Sequence, residues 1–441
     1  YPVSFDNQYR LMPNQRNTYY LMNNDTLSPA YLTTIFPETG ILSEITATKR
    51  SGFFRFSWID AVDPTIIFDI NSDVGEGFIK IDTINQEVIG YNPVHRIYAG
   101  HGKPAGISGY FVAKFNQKII KTGTYRGTDF TVGAVEQNKG ENIGCYVTFG
   151  GKNDVVILLK IGTSFTSIEN ARKNLDAEIP SWDFNKTKTE LEDTWNEYLG
   201  KIELVNAPED DKIKFYTALY HSLIHPRLYS DVNGEYPRFA GNGEIEKAEG
   251  FDYYDDFSNW DIYRAQMPLL SIIAPKEYND MVKSLVVKAE QGGWLPIFPM
   301  WNSYTSAMIG DHSASIIADA AMKGFDFDLE KAYKYLRKNA FETPADSAEY
   351  ENGKGRRALP SYLKYGYIPL EDEVLQAFHK REQVSRTLEY AYDDWAIAQV
   401  AKKLNKTDDY NELMARSQNY RNVFAPQKGW VCGRFADGNF T

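Results

Sequence analysis

A multidomain β + α chain is predicted: an N-terminal antiparallel β-sandwich, a helical linker, and a C-terminal domain of paired helices forming an αα-barrel or superhelix. Three observations predict it. At 441 residues the chain exceeds what one hydrophobic core usually organises. From about Ser28 to Ser164, short β-branched and aromatic runs alternate with Gly, Asn, Asp and Pro. After Ser164 the apolar period lengthens from that of a strand to that of a helix. The expected bounds are 1–165 for the sandwich, 166–205 for the linker and 206–441 for the helical domain.

Taken in order, the strand-like runs are 31–35, 44–48, 52–57, 65–70, 77–81, 87–92, 110–115, 132–135, 145–149 and 154–161. Their spacing and the absence of crossover helices predict an antiparallel meander. Residues 167–175 and 186–199 have helical periodicity and are separated by Pro180, which reads as a linker of two helices. Helices are then expected over 210–229, 260–273, 278–291, 313–323, 329–341, 372–379, 385–404 and 407–422. Long irregular stretches at 231–258 and 293–311 lie between them, and loops of that length are more often functional than accidental.

Composition narrows the function. Aromatic residues make up 14% of the chain, which fits stacking on pyranose rings and equally fits large aromatic cores. A net charge of −11 argues against nucleic acid or an anionic lipid surface as partner. No apolar run is long enough to span a membrane, and no export-signal pattern is visible at Tyr1. The two cysteines, Cys145 and Cys432, have no metal-type spacing.

Three segments concentrate chemistry. In 251–264, FDYYDDFSNWDIYR, Ser258 is an acceptable N-cap and Trp260, Asp261 and Arg264 follow in the first helical turn. Asp261 and Arg264 leave the same face, giving either a sugar-binding ledge beside an indole or an internal ion pair at an acidic helix start. In 292–312, Trp294, Trp301, Tyr304, Asp311 and His312 surround two prolines. Asp311 with His312 fits acid–base work, and Asp311 also fits a cap for the helix beginning near Ser313. In 384–395, Glu389 and Asp393 are one helical turn apart and Asp394 extends the cluster, as either paired acids or a structural network. His221 and His225 share an i,i+4 spacing without an acidic metal motif and read as packed against neighbouring helices.

Beyond these readings, the chain resembles glycoside hydrolase family 92, the exo-acting α-mannosidases. The resemblance rests on ordered blocks: 142–198, FYTALYH at 215–221, YYDDFSNWDIYRAQMPLL at 253–270, QGGWLP at 291–296, MIGDHSASIIADAAMKG at 308–324 and VSRTLEYAYDDWAIAQVAKKL at 384–404. It covers nearly everything beyond about Gly40. What it implies is a β-sandwich, two linker helices and an (α/α)6 barrel with the active site between domains. It further implies inverting hydrolysis of terminal α-linked mannose, a Ca²⁺ cofactor, mannose-containing glycan substrates, N-glycan degradation and a secreted, periplasmic or cell-surface location. Asp261 would then bind sugar hydroxyls with Trp260 and Arg264 in support, and Asp311, His312, Glu389, Asp393 and Asp394 would line the site.

The departures bear on the chemistry. Motifs resembling TEGNAWQY, NEPSHH and NDDCGQMSAWY, which hold the family's general acid, calcium ligands and general base, are not found here. The expectation is therefore an incomplete barrel, a chain that is a fragment of a longer protein rather than a degenerate copy, and metal ligands outside it. Two other readings remain open at this point: a non-catalytic glycan-binding protein, and another (α/α)6 carbohydrate enzyme such as a phosphorylase.

Overall fold

The computed structural model describes residues 1–4, 25–37, 39–60, 63–70, 75–95, 98, 102–374 and 377–441. The chain divides into two compact units, one of residues 1–95, 106–220 and 230–236, the other of 96–105, 221–229 and 237–441.

The first unit is built on two antiparallel sheets. Its strands are β1 (Pro2–Ser4), β2 (Thr26–Ser28), β3 (Tyr31–Phe36), β4 (Ile41–Ala47), β5 (Ser51–Trp58), β6 (Pro64–Ile70), β7 (Phe78–Asp82), β8 (Glu87–Pro93), β9 (Ser108–Phe115), β10 (Ile119–Arg126), β11 (Asp129–Val132), β12 (Glu136–Asn138), β13 (Ile143–Phe149) and β14 (Val155–Ser164). Among the described residues one sheet runs β1-β6-β13-β10-β11 and the other β12-β7-β8-β9-β14-β5-β4-β3-β2. Alternating inward residues, including Ile41, Phe56, Ile66, Ile79, Val88, Ile143, Val147, Ile157 and Leu159, form the core. The simple meander expected from spacing is corrected here: β6, β10 and β13 cross to the smaller sheet, and β14 inserts between β5 and β9. The expected strand at 132–135 is instead the end of β11 and a turn at Gly133, where φ is +79°.

Helix α1 (Ile168–Glu178) begins at Ser167, whose hydroxyl accepts from the Asn170 N–H at 3.0 Å. It lies so close over β14 that a Cβ at Gly162 would stand 2.2 Å from the Ala171 carbonyl oxygen. Asp183 caps α2 (Phe184–Leu199), accepting from the Lys186 N–H at 3.0 Å. Helix α3 (Glu209–Ser222) follows. It ends well before the expected residue 229, so His225 lies beyond it. His221 and His225 are both exposed, which corrects their reading as packed side chains on one helix.

The second unit is helical: α4 (Asn259–Ile262), α5 (Gln266–Ile273), α6 (Pro275–Gly292), α7 (Ser313–Lys323), α8 (Leu329–Phe341), α9 (Ser347–Glu351), α10 (Leu359–Tyr365), α11 (Gln383–Lys403) and α12 (Thr407–Arg416). The buried faces of α6, α7, α8, α11 and α12 meet in one apolar cluster that includes Val286, Ile317, Leu336, Ile397, Val400 and Leu413. The expected helix at 372–379 is not formed among its described residues. Asp372 accepts there from the Val374 N–H at 3.2 Å and the Ser361 hydroxyl at 2.5 Å, a local bond that competes with helix formation.

Candidate active site

The site is assembled from a broken helix, a rigid loop and one long helix of the second unit. The helix expected over 260–273 breaks after one turn. Pro268 cannot supply the N–H that a continuous helix would bond to Arg264, so α5 starts afresh at Gln266. Asn259 fixes the short α4: its amide donates to the carbonyls of Pro296 and Ile297 and to the Ser313 hydroxyl, at 3.3, 3.1 and 2.9 Å. Ser258 stands at the N-cap position without a side-chain capping bond.

The internal Asp261–Arg264 ion pair is not formed. Asp261 is exposed, and its carboxylate has no side-chain partner among the described residues. Arg264 turns instead to Glu389, with its Nη2 3.2 Å from Oε1. Its guanidinium carbon lies 5.2 Å from the Trp260 ring centroid and 4.8 Å from that of Tyr263. The Trp260 Nε1 is buried without a hydrogen-bond partner in the structure. A free carboxylate, a half-exposed guanidinium and an indole thus sit on one turn.

Behind the ledge a row of alternating charge runs inward. Glu389 is 15% exposed, and its Oε2 lies 3.1 Å from Nε2 of the buried His312. The other ring nitrogen, Nδ1, is 3.0 Å from Oδ1 of Asp393. These are ion-pair distances, although neither N–H points squarely at its oxygen. The two carboxylates one turn apart on α11 therefore share an imidazole inserted between them. Tyr263 stacks on that imidazole, with ring centroids 4.0 Å apart and planes 8° apart, and its hydroxyl donates to Glu389 at 3.4 Å. Burial lowers the His312 pKa, but Asp393 and Glu389 outweigh it and raise it from 6.5 to about 9. At neutral pH the ring is an imidazolium. Burial, reinforced by Glu389, raises the Tyr263 pKa and keeps that hydroxyl protonated.

Deeper still, Asp393 Oδ2 accepts from the Asp311 N–H at 2.7 Å. The Asp311 carboxylate accepts from Arg356 Nε at 2.9 Å and Asn339 Nδ2 at 3.1 Å, so it braces the interior and does not cap α7. Burial pushes its pKa up to about 6 against the pull of Arg356. Asp394 is fully buried, paired with Arg356 at 2.6 Å and Arg416 at 2.9 Å, and it accepts from the Tyr362 hydroxyl at 3.1 Å. The eight residues that the resemblance places at the site thus lie in one region of the second unit. Trp260, Asp261 and Arg264 are at its surface, Glu389 and His312 behind them, and Asp311, Asp393 and Asp394 in its interior.

The loop over 293–311 is held by the Asp255–Asp256 pair. Asp256 accepts from the Trp301 N–H at 2.8 Å, from Arg227 Nε at 2.6 Å and from the Tyr229 hydroxyl at 3.1 Å. Asp255 accepts from the Asn302 N–H at 2.7 Å and faces the buried ammonium of Lys288 at 3.2 Å. Trp294 and Tyr304 are core side chains, the tyrosine hydroxyl donating to the Trp294 carbonyl at 2.6 Å.

Comparison with known proteins settles the family. The model of the glycosyl hydrolase family 92 catalytic domain matches residues 170–441, and that of the family's N-terminal domain matches residues 2–164. The chain belongs to glycosyl hydrolase family 92. Among solved family 92 structures, an α-mannosidase of Bacteroides thetaiotaomicron is 29% identical with a TM-score of 0.84, covering 97% of this chain and 56% of that one. The same enzyme has been solved with mannoimidazole. An inverting mannosidase of that organism is 26% identical with a TM-score of 0.86, again over 97% and 56%. A protein of Arthroderma benhamiae described as an uncharacterized secreted glycosidase is 25% identical over 97% of this chain and 53% of its own length. The chain thus spans about half the length of the relatives it matches.

Several residues of this region escaped sequence reasoning: Asn259, Tyr263, Lys288, Asn339, Arg356, Tyr362 and Arg416. Tyr263 had a signal, since it lies between Asp261 and Arg264 in the same turn. Arg356 had none, because its partners Asp311 and Asp394 are 45 and 38 residues away in sequence.

Proposed function

We propose that the protein of which this sequence is part is an exo-acting α-mannosidase, releasing terminal α-linked mannose from glycans with inversion of configuration. The observation that carries this reading is the Trp260–Asp261–Arg264 turn, with its exposed, unpartnered carboxylate beside an indole and a guanidinium. A carboxylate accepting and a guanidinium donating match vicinal hydroxyls, and an indole matches the C–H face of a pyranose. The mannosidases among the family 92 relatives supply the sugar. Glu389 holds Arg264, and His312 with Tyr263 holds Glu389, so the ledge is braced before ligand arrives. With this reading go the domain division at 1–165, 166–205 and 206–441 and a secreted, periplasmic or cell-surface location, the last supported by the description of the fungal-named relative as secreted.

Single displacement requires one carboxylic acid to protonate the leaving oxygen and one carboxylate to activate water from the opposite face. Neither is assigned to Asp311, Glu389, Asp393 or Asp394, each of which is already paired with a basic group of the chain itself. Calcium belongs to the proposal only as a family expectation. Among the described residues no group of three or more His, Cys, Asp or Glu side chains fits a metal ion, so no step is derived through it. The test is hydrolysis of a terminal α-mannoside followed by proton NMR. Initial release of β-mannose is expected. Initial release of α-mannose would overturn the inverting reaction, and turnover of α-glucosides in preference to α-mannosides would overturn the substrate.

A further inference from the structure

The first unit carries a cleft far along the sequence from the Trp260–Arg264 turn. It has a volume of about 660 Å³ and is lined by Arg55, Asn116, Trp182, Phe184 and Asn185 among others, with Ser181, Asp183, Val156 and Leu158 completing it. That size falls within the range of small-ligand pockets. Trp182 is 37% exposed and is one of the lining side chains of this cleft. The ring is pinned. The Lys160 ammonium, held by the Ile179 carbonyl at 2.8 Å, sits 4.2 Å from its centroid, and Phe53 meets it edge-on at 6.2 Å. Held between the lysine and the phenyl ring, the indole keeps about a third of its surface open to the cleft.

Around this platform are polar groups with unused capacity. The Asn116 Oδ1 accepts from the Leu158 N–H at 2.8 Å, which leaves its NH₂ without a partner among the described residues. The Asn185 Oδ1 accepts from Arg55 at 3.2 Å, and its NH₂ is likewise unengaged. Asp183 uses Oδ1 to cap α2, leaving Oδ2 as an acceptor. Arg55 is itself fixed by both oxygens of Glu44, at 2.5 Å each, and lies 4.4 Å over Phe184. Two amide donors, a carboxylate acceptor and an indole face, all on preorganised supports, suit a neutral polyhydroxylated ring. They suit a phosphate or carboxylate poorly, since Asp183 would repel it.

We infer that this cleft binds a pyranose unit of a glycan and so gives the β-sandwich unit a carbohydrate-binding site separate from the Trp260–Arg264 turn. The inference takes from the proposed function only the class of ligand. Its test is saturation-transfer NMR with α-1,2-mannobiose, maltose and cellobiose on the whole chain carrying Asp261→Ala, a background that weakens the ledge. At least one disaccharide should bind with a Kd on the order of millimolar. Adding Trp182→Ala should weaken it at least tenfold, and Asn185→Ala, on the exposed first turn of α2, several-fold without changing the melting transition. Should Trp182→Ala unfold the unit, Asn185→Ala alone decides. Binding unchanged by the cleft substitutions, or no binding of any of the three, overturns the inference. Binding that the unsubstituted chain shows, that Asp261→Ala alone abolishes and that Trp182→Ala alone does not, overturns it too, while leaving the mannosidase reading standing.

Discussion

His312 carries a proton at neutral pH because two carboxylates, Asp393 and Glu389, flank its ring in a site that excludes water. Its pKa rises from 6.5 to about 9 on folding. The stabilisation is therefore complete below about pH 6.5 and is lost as pH climbs through about 9, an effect on the order of 3 kcal/mol. Thermal melting of the wild type should fall across that window, and His312→Gln should flatten the fall; an unchanged slope in the variant would refute the pairing. The sequence showed that His312 adjoins Asp311, and that Glu389 and Asp393 are one turn apart. It did not show that the ring separates those two carboxylates, since the contact joins α11 to the residue preceding α7. Asp311 misled for a related reason: residue type and position both suited a cap, but the buried Arg356 claims its side chain.

At the scale of elements, buried charge ties α10, α11 and α12 together. Asp394 on α11 answers both Arg356, just before α10, and Arg416 at the end of α12. Asp394→Ala would strip Arg416 of its buried partner and leave Arg356 with Asp311 alone, and should cost about 3–5 kcal/mol, measurable by urea unfolding. A loss below about 1 kcal/mol would mean water reaches the cluster. Asp256→Ala removes the acceptor for the Trp301 N–H, so amide exchange at Trp301 should quicken by roughly tenfold or more with α6 unaffected. Elements with a strong period were legible, such as β5, β6, α7, α8 and α11. Those missed have physical causes. β10 is broken in pattern by Gly123, needed because a Cβ there would lie 2.3 Å from the Tyr146 ring on β13. α10, for which no helix was expected, opens with Leu359–Pro360, where proline fits the first turn of a helix, and is only seven residues long.

On the scale of the molecule, the order of a β-rich unit before a helical one was legible from the change of period alone. The path of strands between the two sheets was not, because pairing such as β14 with β5 and β9 joins residues about 50 to 110 apart. Net charge makes a prediction at this scale: with −11 overall, no binding to duplex DNA at physiological salt should be seen by fluorescence anisotropy, and a micromolar Kd would contradict it. The central claim is that the Trp260–Arg264 turn grips a terminal mannose. Its most direct measurement is kcat/KM on an α-mannoside for the natural protein and for Asp261→Ala. An exposed carboxylate without a protein partner predicts unchanged melting and a fall in kcat/KM on the order of 10²-fold or more. Wild-type kinetics in that variant would contradict the claim.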